Sequence, residues 1–340
     1  LKLLKDLQHI LAHTDGIWEE LRGKTIFVTG GTGFFGKWIL ESFIYANETL
    51  GLGAKMIVLS RNPQEFLKEY PHFKKNYIQF ITGDILHFGY PDEPIHYIIH
   101  AAADMSGYMD MDKAAAVFDS IVTGTERILE LARVKQVKAV LHTSSGAVYG
   151  VQPHVLSHIP ETFSGAPDVF GKNAAYGEGK RVAEMLANMY YHTHGVESKV
   201  ARCFAFVGPY MADPNFAIVN FINSVVKGDD IVIKGDGTPF RSYLYAADLA
   251  IWLWHILVNG KSCRPYNVGS DEHITIENLA REVASFSKTG NCSVEILSPK
   301  SNSPALRYVP DIKRAKDELN LAVYIDLKEG INRAIGFYTP

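Results

Sequence analysis

Residues 25–36 constrain this chain more than any other stretch. Thr25-Ile26-Phe27-Val28-Thr29 is a short apolar run of strand character. It passes directly into Gly30-Gly31-Thr32-Gly33-Phe34-Phe35-Gly36, and apolar residues then recur at helical spacing to about Asn47. Gly30, Gly33 and Gly36 make a GxxGxxG turn. Such a turn needs glycine because the bend is tight, the backbone must approach a pyrophosphate, and the helix must pack close to the strand. The helix start then offers free N–H groups and a partial positive charge to an anion. A glycine triplet alone can serve only the bend. Between a strand and a helix it predicts a dinucleotide site formed by Gly30, Thr32, Gly33, Phe34, Phe35 and Gly36.

Further short apolar runs at 55–60, 77–81, 97–100, 139–143 and 199–206 alternate with helical segments, the clearest at 114–134. That rhythm predicts an α/β fold, a Rossmann-type doubly wound parallel sheet covered on both faces. After about Gly208 the rhythm breaks. Pro209, Pro214, Pro239, Pro265, Pro299 and Pro304 punctuate shorter elements, which predicts a smaller C-terminal α/β lobe. The expected divisions are a helical extension at 1–23, a dinucleotide-binding domain at 24–208 and a substrate lobe at 209–340. Residues 240–258 are candidates to return to the first domain. In the extension, Leu3, Leu4, Leu7, Ile10 and Leu11 fall at helical spacing and are expected to pack on the main fold.

Composition narrows the class. Of 340 residues, 47% are hydrophobic and 21% charged, enough for a sizeable core and too apolar for a disordered chain. A net charge of −3 lacks the basic excess of a general nucleic-acid binder. Cys203, Cys263 and Cys292 lie far apart. They offer no disulfide framework and no metal spacing, which fits a reducing cytosol. His192 and His194 stand two apart and do not share a helix face, so no metal site is expected there. No apolar run reaches the ~18 residues of a membrane span, and the opening residues lack a secretory pattern. A cytoplasmic protein without nucleic-acid or membrane partners is expected.

The end of the second strand should meet the adenosine ribose. An acid there favours NAD, whereas a base accommodates the 2′-phosphate of NADP. The chain has Leu59-Ser60-Arg61-Asn62 and no acid. Arg61 can grip a phosphate through two parallel N–H contacts and Ser60 can add a third, so NADP(H) is expected over NAD(H). Asp84, followed by Ile85, is placed for the adenine amino group, or else for a helix cap. Ala101, Ala102 and Ala103 end the fourth strand with side chains small enough for a cofactor to pass close by.

Tyr176 and Lys180 share a helix face at i and i+4. An ordinary tyrosine, with a pKa of about 10, is a poor base near neutrality. A fixed ammonium and a cationic nicotinamide ring favour phenolate, so Tyr176 can move a proton to or from a sugar hydroxyl while hydride moves at the same carbon. Ser145 closes the fifth strand on the edge facing the ligand crevice, where its hydroxyl can align the reacting oxygen. Tyr-x-x-x-Lys occurs by chance in many helices. Here it lies downstream of a dinucleotide turn and a serine-tipped strand.

Together these residues resemble an extended short-chain dehydrogenase/reductase of the NAD-dependent epimerase/dehydratase group, which acts on nucleotide sugars. The matching motifs are TGGTGFFG, GDI at 83–85, HAAA at 100–103, SSGAVYG at 144–150, YGEGK at 176–180, RCFAFVGP at 202–209, RSYLYAADLA at 241–250 and YNVG at 266–269. The resemblance implies a nucleotide-sugar substrate and a homodimer through a four-helix bundle. It also places Arg241 and Arg307 as diphosphate clamps and Asn220 near the diphosphate or base.

Four departures shape the expected reaction. The 4,6-dehydratases carry an Asp-Glu pair right after the residue matching Ser145, where this chain has Gly146 and Ala147. That argues against dehydration. Ala147 also lacks the glutamate of UDP-glucuronate decarboxylases, although YGEGKR resembles their tyrosine helix, and the cysteine of GDP-fucose synthase. Ala205 and Ile121 each replace a frequent asparagine. The remaining chemistry is hydride transfer at one carbinol carbon, as in a 4-ketosugar reductase or a 4-epimerase. An NADP-selecting Arg61 favours the reductase, which draws on a reduced pool. A non-catalytic dinucleotide sensor is the third reading, disfavoured because Tyr176 and Lys180 are both present.

Overall fold

The computed structural model describes residues 2–102, 111–172, 174–288, 290–301 and 303–339. In chain order the strands are β1 (Thr25–Thr29), β2 (Lys55–Ser60), β3 (Ile78–Thr82), β4 (Tyr97–His100), β5 (Ala139–Ser145), β6 (Ser198–Cys203) and β7 (Phe206–Val207). They continue with β8 (Ile231–Ile233), β9 (Phe240–Ser242), β10 (Leu244–Tyr245), β11 (Pro265–Val268), β12 (His273–Thr275), β13 (Val294–Ile296) and β14 (Arg307–Tyr308). The helices are α1 (Leu4–Ala12), α2 (Ile17–Glu20), α3 (Phe34–Leu50), α4 (Pro63–Glu69), α5 (Ala114–Lys135) and α6 (Ala174–His194). Beyond these come α7 (Ala217–Lys227), α8 (Ala246–Asn259), α9 (Ile276–Ala284), α10 (Lys313–Leu319) and α11 (Leu327–Tyr338).

Seven strands form a parallel sheet in the order β11-β6-β5-β4-β1-β2-β3. Its central strands are buried along their length, as expected where helices cover both faces. The chain runs outward from β1 through β2 to β3, then crosses back to β4 on the other side of β1. The carboxyl ends of β1 and β4 therefore bound the crevice where such sheets take their ligands.

The apolar run at 199–206 is two strands rather than one. The ladder of β6 with β11 ends where the Phe204 N–H bonds the Val268 carbonyl at 3.0 Å, and β7 pairs with β10 instead. Helix α8 is buried along most of its length, with Trp252, Trp254 and Ile251 fully buried. It packs between β5, β6, α3 and the N-terminal helices, and each such side chain contributes about 1.5–3 kcal/mol on burial. The extension docks through Leu7, Ile10, Ile17 and Trp18, all buried. Asp6 fixes it by accepting from Tyr245 at 2.9 Å and Arg333 at 2.6 Å.

The small sheet β12-β9-β14 lies beyond the main one. Register sets Tyr308 beside Arg241 and Arg307 beside Phe240. Paired residues share a sheet face and successive residues alternate. Arg241 and Tyr308 therefore project from one face and Arg307 from the other. Backbone bonds tie β14 to the segment after β5: Ile159 N–H to Val309 O at 2.9 Å and Asp311 N–H to Ile159 O at 3.0 Å.

Candidate active site

The glycine turn is built by close approach. Gly30 has φ +71°, and a Cβ there would stand 2.4 Å from the Ala101 carbonyl oxygen at the end of β4. A Cβ on Gly36 would stand 2.3 Å from Gly30 O, so only glycine lets α3 start this close to the strand. Gly33 is the N-cap of α3 and provides no side-chain cap. This cradle fits the pyrophosphate of a dinucleotide. Thr32 is half-buried at the turn, and Phe34 and Phe35 pack toward Phe206, with ring centroids 6.4 and 5.2 Å away.

Around the crevice, Ser60 is buried and its Oγ accepts from Asn62 N–H at 3.3 Å, while Arg61 is exposed directly after β2. One Asp84 carboxylate oxygen accepts from Leu86 N–H at 2.9 Å, and Ile85 is buried against Gly124. Ala101 and Ala102 are half-buried at the end of β4, and Ala102 N–H donates to Thr29 Oγ1 at 3.2 Å. Ala103 lies outside the described residues.

Ser145, Tyr176 and Lys180 belong to two adjoining elements, β5 and α6. Lys180 is buried and donates from Nζ to the Thr143 carbonyl at 2.7 Å. Burial pushes its ammonium down to about 8, partly opposed by Glu184 one turn on. Its Nζ lies 5.9 Å from the centre of the Tyr176 ring. That ring packs against Val117, Ile121 and Ala183, so Ile121 forms an apolar wall beside the phenol. Ser145 is buried, and its Oγ accepts from Ala147 N–H at 3.1 Å as the turn at 146–149 begins.

Several residues that sequence reasoning passed over complete the centre. Tyr308 reaches in from β14, its hydroxyl set against Gly146, where a Cβ would stand 2.6 Å from the phenol oxygen. Arg202 clamps Glu184 at 2.6 Å and donates to the Tyr149 hydroxyl at 2.9 Å. Glu184 in turn accepts from Ser144 at 2.5 Å, which fixes α6 against β5. His142, under Lys180, is buried with neither ring nitrogen partnered, and burial holds its pKa at about 3. A two-residue strand such as β14 leaves no periodicity to read. Tyr308 therefore had no sequence signal beyond the neighbouring Arg307.

Arg241 stands with its guanidinium 5.9 Å from the Tyr308 ring centre. Arg307 lies over Phe240 at 4.2 Å on the opposite face, its Nη1 buried without a partner. Asn220, on α7, donates to the Pro214 carbonyl at 2.8 Å. Among the described residues there is no cluster fit to hold a metal ion and no helix long and apolar enough to cross a membrane.

Known proteins are similar to this chain in sequence and in fold. UDP-glucuronic acid decarboxylase 1 of Arabidopsis thaliana is 30% identical over 321 residues, covering 91% of this chain and 68% of its own length. A Streptomyces venezuelae dTDP-glucose 4,6-dehydratase, solved with NAD and TYD bound, superposes with TM-score 0.77. It is 23% identical and covers 92% of this chain and 96% of its own. A Bacillus cereus UDP-glucuronic acid 4-epimerase, solved with UDP-glucuronic acid and NAD, gives TM-score 0.78 at 20% identity, covering 92% and 98%. At these identities the solved structures speak for the fold. Residues 26–269 match the NAD dependent epimerase/dehydratase family, and the chain belongs to it.

Proposed function

We propose that this protein transfers hydride at one carbinol or keto carbon of a nucleotide-linked sugar, in the manner of a 4-ketosugar reductase. The observation that carries the reading is the buried Lys180, bonded to β5 two residues before Ser145 with its ammonium 5.9 Å from the Tyr176 ring centre, in a fold whose glycine turn is shaped for a dinucleotide. The turn residues Gly30, Thr32, Gly33, Phe34, Phe35 and Gly36 hold the pyrophosphate. Ser60 and Arg61 select NADP(H) through its 2′-phosphate, and Asp84 and Ile85 border the adenine. Ala101 and Ala102 leave room at the end of β4. A bound nicotinamide coenzyme supplies or accepts the hydride.

The protein's own work is with the proton and the orientation. Ser145 donates a hydrogen bond to the reacting oxygen. Tyr176 gives its phenolic proton to that oxygen during ketone reduction, and Lys180 stabilises the phenolate left behind. Arg241 steadies the diphosphate, with Arg307 and Asn220 assigned to the same nucleotide. Gly146 and Ala147 bring no carboxylate or thiol for elimination or epimerisation beside a ketone, which supports a reaction confined to one carbon. The exposed apolar side chains of α5 and α6 support a homodimer.

NADPH consumed with a 4-keto-6-deoxy nucleotide sugar is the expected result. Conversion of a UDP-hexose to its C4 epimer without added coenzyme would replace the reductase with a 4-epimerase, which uses the same three residues. Release of CO2 from UDP-glucuronic acid would overturn both.

A further inference from the structure

We propose that Arg202 and Tyr149 are positioning residues for this reaction: they carry one hydrogen-bonded path from helix α6 to the end of β14, and so hold Tyr176 and Lys180 in a fixed relation to Arg241. The inference rests on the functional reading above and assigns a role to two residues outside the catalytic trio.

The path begins one turn beyond Lys180. Glu184 accepts from Ser144 Oγ at 2.5 Å and from Arg202 Nη2 at 2.6 Å. Arg202 donates from its other terminal nitrogen, Nη1, to the Tyr149 hydroxyl at 2.9 Å. Tyr149 donates in turn to Asn267 Oδ1 at 2.7 Å. Asn267, buried in β11, donates from Nδ2 to the carbonyls of Ile159 and Asp311 at 2.9 and 3.0 Å. The same backbone grips the end of β14: Ile159 N–H donates to Val309 O at 2.9 Å and Asp311 N–H to Ile159 O at 3.0 Å. Tyr308, beside Val309, is paired with Arg241 on β9.

Each link has only one sense. The amide nitrogen of Asn267 gives both its protons to carbonyls, so its oxygen faces Tyr149 and accepts. A guanidinium can only donate. The Tyr149 hydroxyl therefore donates to Asn267 and accepts from Arg202. Burial pushes this phenol up to about 12, so its proton stays in the path near neutrality. Bonded groups with a single arrangement transmit a displacement from one element to the next. A slip of about 1 Å between the proton donor on α6 and the diphosphate clamp on β9 is enough to slow turnover about a hundredfold, while each half still binds its part of the substrate.

The test is a double-mutant cycle on the full chain, assayed with NADPH and a 4-keto-6-deoxy nucleotide sugar. Tyr149→Phe keeps the ring and removes the central link, leaving Glu184 with Arg202 and Asn267 with its two carbonyls. It is expected to lower kcat about tenfold or more while KM for the sugar stays within about threefold. Arg202→Lys keeps a positive charge beside Glu184 but lacks the fork that reaches both partners, and is expected to give the same loss. Because both substitutions cut one path, the double variant should lose no more than the larger single loss. Wild-type kcat in Tyr149→Phe, a loss confined to KM, or losses that multiply in the double variant overturn the proposal. Amide hydrogen exchange gives a readout independent of turnover. The Arg202 bonds end on Glu184, Tyr149 and Glu161, yet Arg202→Lys is expected to quicken exchange at the Ile159, Val309 and Asp311 N–H groups about tenfold, and Tyr149→Phe to match it. Unchanged exchange there overturns the proposal. A wild-type protein that turns over no nucleotide sugar overturns the functional reading instead, and the exchange rates still decide whether the path joins the two elements.

Discussion

Lys180 donates to the carbonyl of Thr143, two residues before Ser145 on the same strand. β5 therefore fixes both the ammonium behind Tyr176 and the hydroxyl beside the reacting oxygen, and a shift of α6 along β5 would disturb both together. Burial sets the price of this arrangement: it pushes Lys180 down from 10.5 to about 8. As pH rises through about 8 the charge that stabilises the phenolate is lost, and kcat/KM is expected to fall on that limb. Stability moves the other way. The unfolded chain keeps the lysine proton to about 10.5, so folding becomes easier between about 8 and 10.5. Activity lost alongside melting over that range would assign the limb to unfolding. Lys180→Met is expected to lower kcat about a hundredfold and to remove the limb.

Arg61 follows the buried end of β2 and is exposed. Charge-assisted contacts to a phosphate dianion contribute enough that Arg61→Ala is expected to weaken NADPH binding about tenfold or more. NADH has no 2′-phosphate, and its Kd should stay within about twofold. Fluorescence titration of both coenzymes reads the ratio, and an unchanged ratio removes the NADP assignment.

How much of this was legible depended on how local each signal was. The glycine turn, the five strands from 25 to 143 and the Tyr176–Lys180 pair are written in residues that only a tight turn needs, in short apolar runs and in helical i, i+4 spacing. Ser145 was legible because strand ends on one sheet edge share a crevice. β11 was not legible as a sheet strand, because its four residues return to the main sheet after the chain has left it. Tyr308 was missed for the same reason. Its place against Gly146 is reached across the fold, and neither the short strand nor its neighbours announce that neighbour. The division of Arg241 and Arg307 onto two faces follows from register with β9, which spacing cannot supply.

His142 predicts acid sensitivity. It is fully buried, its pKa held at about 3 by burial and by the Lys180 charge. His100 beside it is held well below its ordinary value by burial, His142 and Lys180. Both rings are neutral in the folded protein, whereas the unfolded chain protonates them near 6.5. The His142 contribution is complete above 6.5 and declines as pH falls toward 3, and that of His100 declines in the same direction. Between pH 6.5 and 5 the His142 shift costs up to about 2 kcal/mol. His142→Leu removes two unpartnered nitrogens and one titration, so the loss of stability between pH 7 and 5 should shrink by about 2 kcal/mol. Urea midpoints at the two pH values measure it, and parallel losses in both proteins would exclude His142 as the cause.

Helices α5 and α6 pack side by side and leave an apolar strip facing outward. Phe118 is 38% exposed, Met185 54% and Met189 50%. Val122 and Val182 are half-buried on the same helix faces. In a monomer this strip would meet water. Against the same strip of a second copy, related by a two-fold axis, it makes a four-helix bundle with a self-complementary seam. Light scattering is expected to give twice the 37.8 kDa of one chain. Met185→Glu with Met189→Glu places like charges opposite each other in that seam and should leave monomers. Because both side chains are exposed in the single chain, the monomer's own packing is little affected. A wild-type protein that scatters as 37.8 kDa at micromolar concentration would show that the strip faces solvent after all.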